Sequence, residues 1–155
     1  MKNIISIMLI ASLGMLLVFT GCKEDEYVPE PLKMVTVTGT VKADMDLGEA
    51  GNENVPDGTK IIFRINSQNL VQNPIVGYTY QVLQYEATVT GGFYTIELPS
   101  VKFQAVPVDV VPVDFKANQT QGDDSFKEKT FYGNPVPTTT QEGEITYHDL
   151  TYNVW

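Results

Sequence analysis

The sequence predicts an all-β chain folded as a β-sandwich of seven or eight strands. Three observations predict it. From Lys33 onward, apolar and polar residues alternate with period two in segment after segment. Gly and Pro punctuate those segments at short intervals. No stretch beyond the first 21 residues carries a convincing helical period. Short half-apolar strands separated by turn residues bury their apolar faces by stacking one sheet on another.

Each element can be justified in turn. Met34–Ala43 places Val35, Val37, Val41 and Ala43 on one face and Thr36, Thr38, Thr40 and Lys42 on the other. Gly39 falls on the apolar face and marks a bulge or a close backbone approach. Asp44–Gly58 is a loop rich in Asp, Glu, Asn and Gly that closes on the turn signal Val55-Pro56-Asp57-Gly58. Thr59–Asn66 is the next strand, with Ile61, Phe63 and Ile65 inward. Ser67–Gly77 is a polar loop, and Tyr78–Thr90 is a strand bent near Gln84. Gly91-Gly92 signals a hairpin into Phe93–Leu98, where Tyr94, Ile96 and Leu98 share a face. Pro99 and Ser100 end that strand. Val101–Lys116 is apolar and β-branched but interrupted by Pro107 and Pro112, which belong at an edge facing solvent or at bulges. Asn118–Ser125 is a polar turn, Phe126–Tyr132 a short strand, and Gly133–Gly143 a Pro- and Thr-rich loop. Ile145–Val154 is the last strand, with Leu150, Tyr152 and Val154 inward. Residues 33–155 are enough chain to bury a core without staples. Cys22 is the only cysteine, so no intrachain disulfide contributes.

Residues 1–21 are read as a cleaved export signal. Lys2 gives a positive start, and an apolar stretch from Ile4 to Phe19 is broken only by Ser6, Ser12 and Gly14. The alternative is an uncleaved amino-terminal helix with a free Cys22. Phe19-Thr20-Gly21-Cys22 resembles the bacterial lipobox, with Phe19 in the place usually held by Leu. That resemblance implies diacylglycerol on the Cys22 thiol, cleavage before it and acylation of the new amino group; several acyl chains anchor far better than one. The following Lys23-Glu24-Asp25-Glu26 resembles the surface-export signal of Bacteroidetes-type lipoproteins, which implies display on the outer face of the outer membrane; an ordinary solvated linker is the other reading. Residues 22–32 then form a spacer whose Pro29 and Pro31 favour an extended chain.

Charge narrows the partners. The chain carries 10 Lys and Arg against 19 Asp and Glu, a formal net charge of −9, and loss of Lys2 with the signal makes it −10. Such a surface has no footprint for nucleic acid and is repelled by anionic lipid. Membrane attachment therefore falls to the lipid on Cys22.

Three segments together resemble the carboxypeptidase regulatory-domain and transthyretin-like family: Val37-Thr38-Gly39-Thr40-Val41, then Val55-Pro56-Asp57-Gly58-Thr59-Lys60-Ile61-Ile62-Phe63, then Ala87 through Pro99 with Gly92-Phe93-Tyr94 at its hairpin. The resemblance covers roughly residues 35–99. It implies a Greek-key sandwich of transthyretin-like (prealbumin-like) type, with Tyr94 packed inward and no catalysis of its own. Thr90 and Gly91 stand where the family often has Asp before the hairpin Gly, and 67–84 is longer than a minimal module needs.

Little else points to chemistry. His148 is the only histidine and reads as a structural or surface residue. No serine is marked as a nucleophile, and no motif selects a carboxylate pair for glycoside hydrolysis. Asp44, Asp46, Glu49, Asn52, Glu53, Asn54 and Asp57 could offer oxygens to Ca²⁺, but their spacing matches no EF-hand, and a solvated acidic loop is the plainer reading. No metal or cofactor is expected. Tyr78, Tyr80 and Tyr85, and later Phe131, Tyr132, Tyr147, Tyr152 and Trp155, divide between core and ligand platform, with Trp155 the one expected to be exposed. The expectation is a non-enzymatic cell-envelope lipoprotein module mediating protein interaction or assembly at the outer membrane. A glycan-binding surface lipoprotein of a carbohydrate-uptake system is the alternative. Its partners are the membrane through the lipid, and an envelope protein or a glycan; the oligomeric state is open.

Overall fold

A computed structural model describes residues 31–155. Among them are eleven strands and one 3-10 turn, arranged as two sheets packed face to face in a β-sandwich. Two of the strands are two-residue segments, so the expected seven or eight becomes nine longer ones.

The axis of the larger sheet is β1 (Lys33–Ala43), whose alternate residues Val35, Val37, Gly39, Val41 and Ala43 are buried as their spacing predicts. On one edge it pairs antiparallel with β5 (Phe93–Ser100) and then with β2 (Glu53–Asn54). On the other it pairs parallel with β10 (Thr146–Tyr147) and β11 (Leu150–Val154). The register is the same in both: Val37 faces Thr146 and Val41 faces Leu150. The expected strand Ile145–Val154 is thus one path broken at His148–Asp149. The break has a cause. Asp149 Oδ1 accepts from the Thr40 amide at 2.7 Å and from the Thr40 hydroxyl at 2.8 Å, taking the place of a backbone carbonyl. Beside it, a Cβ on Gly39 would collide with the His148 carbonyl. Gly39 is therefore the close backbone approach that its position on the apolar face predicts. β8 (Phe126–Tyr132) continues the sheet from β11, and β7 (Phe115–Thr120) closes it.

The smaller sheet runs in the order β4 (Val82–Thr88), β3 (Lys60–Asn66), β6 (Val106–Pro112), β9 (Val136–Thr140). Several sequence expectations change in and around this sheet. Gly133–Gly143 is not all loop, because β9 lies within it. Its Pro137 sits on an edge strand, where a missing N–H breaks no ladder on the open side. Val101–Lys116 is not one interrupted strand: the chain leaves the smaller sheet after Pro112 and enters the larger at Phe115, so that Asn118–Thr120, expected in a turn, extend β7. Pro107 pairs only with β9 and Pro112 only with β3, so each proline stands where β6 has a neighbour on one side; Pro112 is buried rather than solvent-facing. Pro99 and Ser100 continue β5 to its pairing with Met34 and Lys33, tolerated because β5 has a sheet neighbour on one edge only. The strand expected from Tyr78 begins only at Val82.

Between the sheets lie Val37, Val41, Leu98, Tyr94, Phe131 and Tyr152 from one side, and Ile61, Phe63, Ile65, Ala87, Val108 and Val110 from the other. Phe63 packs on Tyr94 with ring centroids 5.6 Å apart, and Phe115 stacks on Phe131 at 5.0 Å. Removing such a ring costs about 3–5 kcal/mol. Each buried tyrosine also ties down backbone: the Tyr94 hydroxyl donates to the His148 carbonyl at 2.7 Å, and the Tyr152 hydroxyl to the Val113 carbonyl at 3.0 Å. Burial, with a nearby carboxylate in each case (Asp149 for Tyr94, Asp114 for Tyr152), pushes both phenols well above their ordinary range.

Strand directions sort the loops to two ends. β1 begins at Lys33 opposite Ser100, the last residue of β5. β4 leads into β5 through a hairpin at 89–92, so β4 begins at that same end, as does the preceding loop 67–81. The loops 101–105 and 141–145 join it there; Gln104 Nε2 donates to the Asn69 carbonyl at 2.7 Å. This is the amino end. At the opposite end lie 44–59, 89–92 and 121–125, where Asp46 bridges to Thr120.

Candidate interaction surfaces

The lipidation residue Cys22 and the export residues Lys23, Glu24, Asp25 and Glu26 lie outside the described residues, as do the signal 1–21 and most of the spacer 22–32.

The acidic loop 44–58 uses three of its five carboxylates on the backbone. Glu53 Oε2 accepts from the Met45 amide at 2.6 Å and from the Asp46 amide at 3.2 Å. Asp46 Oδ1 accepts from the Gly48 amide at 2.8 Å, and Asp57 Oδ1 from the Gly91 amide at 2.6 Å. Asn54 Nδ2 donates to the Gly91 carbonyl at 3.1 Å, and Gln119, buried, donates to the Asp44 carbonyl at 2.8 Å. Asp123 does the same locally. It accepts from the Ser125 hydroxyl and amide, and those bonds hold its carboxyl below the usual range. No group of three or more His, Cys, Asp or Glu among the described residues is placed to hold a metal ion.

His148 sits at the break between β10 and β11. Its backbone amide donates to the Thr38 carbonyl at 2.9 Å, while Nε2 is buried with no hydrogen-bond partner among the described residues. Burial lowers its pKa, against a smaller upward pull from Asp149. The Asp149 carboxyl is lowered by its Thr40 bonds. The arrangement fixes a strand joint.

The expected aromatic clusters divide. Phe131 and Tyr152 are core, and Tyr85 packs against it. Tyr132 and Trp155 lie together on the outer face of the larger sheet, with ring centroids 4.8 Å apart and planes tilted by 38°, and Trp155 is 76% exposed. The Trp155 amide donates to the Thr130 carbonyl at 3.2 Å, and Lys129 Nζ donates to the Trp155 carbonyl at 3.1 Å. On the same face Lys116 and Glu128 form an exposed ion pair at 3.7 Å. An indole and a phenol held this way present a flat amphipathic patch with a polar rim. On the outer face of the smaller sheet, a shallow depression of about 320 Å³ is lined by Arg64, Asp109, Val111, Pro135, Val136 and Pro137.

A second surface went unread in the sequence. Ser67–Gly77 reads as a polar loop, yet within 67–81 Val71, Ile75, Val76 and Tyr78 are exposed, with Val76 at 101%. A turn closed by the Tyr78 amide on the Ile75 carbonyl, with Gly77 at φ 83°, brings Ile75, Val76 and Tyr78 to its tip. The Tyr80 hydroxyl accepts from the Ile75 amide at 2.8 Å, and Tyr78 and Tyr80 meet edge to face at 4.8 Å. The signal that marks this loop is the lack of charge: no Asp, Glu, Lys or Arg occurs between Arg64 and Glu86.

No family model matches the chain, and no curated protein does. Among solved structures, the crystal structure of the major plantain pollen allergen Pla l 1 is similar at a TM-score of 0.35 and 11% identity, over 79% of this chain and 94% of that one. A likeness at that level carries no inference about fold or function.

Proposed function

We propose that the chain is a non-enzymatic, lipid-anchored module of the bacterial cell envelope. It is held by lipid on Cys22, exported to the outer surface through Lys23–Glu26, and folded as a transthyretin-like sandwich that binds another envelope protein. The observation that carries the reading is the Tyr132–Trp155 pair on an outer sheet face, with the indole exposed and the phenol half-buried against it. Exposed Trp and Tyr held by backbone contacts are the residues that most often anchor protein interfaces, and a polar rim such as Lys116–Glu128 completes that pattern. The same rings favour a second reading, glycan binding, because a tilted aromatic pair offers a face on which a sugar ring can stack.

One set of measurements tests both. Trp155 is the only tryptophan, so its emission reports on this face directly. A photo-crosslinker at position 153 of the full-length protein on intact cells should capture a protein, and W155A with Y132A should abolish the capture. Polysaccharides that shift Trp155 emission would move the assignment to the glycan reading. Neither response would remove this face as the site. Mass spectrometry of the native protein should find Cys22 acylated and residues 1–21 absent.

A further inference from the structure

The two ends of the sandwich differ in charge in a way the interaction face does not explain. Loops 44–58 and 121–125 carry Asp44, Asp46, Glu49, Glu53, Asp57, Asp123 and Asp124 with no Lys or Arg. At the amino end, loop 67–81 carries no charge at all, and its neighbours are nearly balanced, with Lys33 and Lys102 against Glu142 and Glu144. Exposed apolar side chains are more numerous at that end, with Met34, Val71, Ile75, Val76, Tyr78 and Phe103, than at the acidic end, where Leu47, Phe93 and Phe126 stand separately, in or beside three different loops. In water this is an unfavourable place for them. Aliphatic tips flanked by tyrosines and by amide side chains such as Gln72 and Asn73 suit the boundary between lipid headgroups and acyl chains.

The chain itself says which surface lies there. β1 begins at Lys33 on this end. On the reading that Cys22 carries lipid, eleven residues, 22–32, join the bilayer to Lys33, a reach of at most about 40 Å fully extended. A tether that short holds the end at a millimolar-scale effective concentration above the bilayer, so weak insertion suffices. The acidic end, by contrast, is repelled by anionic lipid.

We infer that the amino end of the sandwich is seated on the lipid surface that holds the anchor, with loop 67–81 dipping into the headgroup region through Ile75, Val76 and Tyr78. The inference rests on the lipoprotein reading of Cys22. It fixes an orientation: the acidic end points away from the bilayer, and the Tyr132–Trp155 face stands clear of it.

The test uses the full-length lipidated protein in phosphatidylcholine vesicles. An environment-sensitive fluorophore is attached in V76C or, at the acidic end, in E49C. Both positions are exposed, so labelling leaves the fold intact. Aqueous iodide should quench the label of V76C several-fold less than that of E49C, and brominated phosphatidylcholine should quench only the former. V76C and E49C labels equally open to iodide on floating vesicles would overturn the seat while leaving the anchor standing. Shielding of the V76C label in native membranes but not in pure lipid would overturn it in favour of a protein partner. Failure of the protein to float, with Cys22 unmodified by mass spectrometry, would overturn the lipoprotein reading and the seat with it.

Discussion

The acidic end and the amino end of this sandwich use their side chains in opposite ways. At the acidic end, Glu53, Asp57 and Asp46 turn back on main-chain amides, and Gln119 reaches in to the Asp44 carbonyl. The charges there close loops. At the amino end, loop 67–81 has fewer ties, chiefly Ile75 to Tyr80 and Gln81 to Ser67, and its apolar tip is turned outward. A carboxylate can serve a ligand or its own backbone, and Glu53, Asp46 and Asp57 serve the backbone; an apolar loop residue is usually buried, and Ile75, Val76 and Tyr78 are not.

The contrast between the ends requires a rigid body between them, and the largest expected effect breaks that body. Gly39→Val drives a branched side chain into the His148 carbonyl and the Tyr94 ring. Neither can move without undoing the β1–β11 register, so the loss should reach about 3 kcal/mol or more. Thermal unfolding checks it, and a variant that melts within a few degrees of the parent would mean the strand joint gives way easily.

Next comes a test of the loop-closing role. Glu53→Ala removes the acceptor for the Met45 and Asp46 amides, and an unsatisfied part-buried donor costs about 1–3 kcal/mol. Glu53→Gln keeps one oxygen and should recover much of that loss. If both variants unfold with the parent's denaturant midpoint, the acidic loop is solvated rather than pinned, and the distinction between the ends loses half its basis.

Acid sharpens the comparison at the strand joint. The His148 pKa is lowered by burial, so the folded state holds fewer protons than the unfolded state below the ordinary histidine range. Stability from the neutral ring is present above about pH 6.5 and is lost as pH falls through the lowered value. Asp149 is lowered by its Thr40 bonds, so its contribution is present above the ordinary carboxylate range, about pH 4, and is lost below it. The two adjacent groups should give two separate declines in melting temperature. His148→Gln should flatten the upper one and leave the lower, and Asp149→Asn should do the reverse. An unchanged upper limb in H148Q would place the titrating group elsewhere.

Legibility in the sequence followed how local the physics was. β1, β3 and the inward set Leu150, Tyr152 and Val154 were readable because period two with β-branched residues is a local pattern. Gly39 was readable as a close approach, though His148, the residue it approaches, is 109 positions away in register and was not. β9 was missed because its Pro137 and run of Thr carry loop propensity, and only pairing with β6 makes it a strand. The passage from β6 to β7 was missed because a change of sheets leaves no period to read. The Tyr132–Trp155 pair was half visible, since Trp155 was expected to be exposed but its partner depends on the register of β11 against β8. Loop 67–81 was masked by its Gln, Asn, Pro and Gly, which read as an ordinary polar loop. The lack of charge over that span was the better guide.

The smallest expected effect on stability separates folding from function most sharply. Val76 is fully exposed, with its side chain in contact with little, so Val76→Ser should change stability by no more than about 0.5 kcal/mol. By the same reasoning the fold gives Val76 no reason to be apolar. Whatever V76S changes in the attachment of the lipidated protein, read as slower or faster release from phosphatidylcholine vesicles, therefore reports a contact made outside the chain. Faster release at an unchanged melting temperature is the expected result. Unchanged release would show that the tip of loop 67–81 touches no lipid, and the two ends would then differ in charge without differing in surroundings.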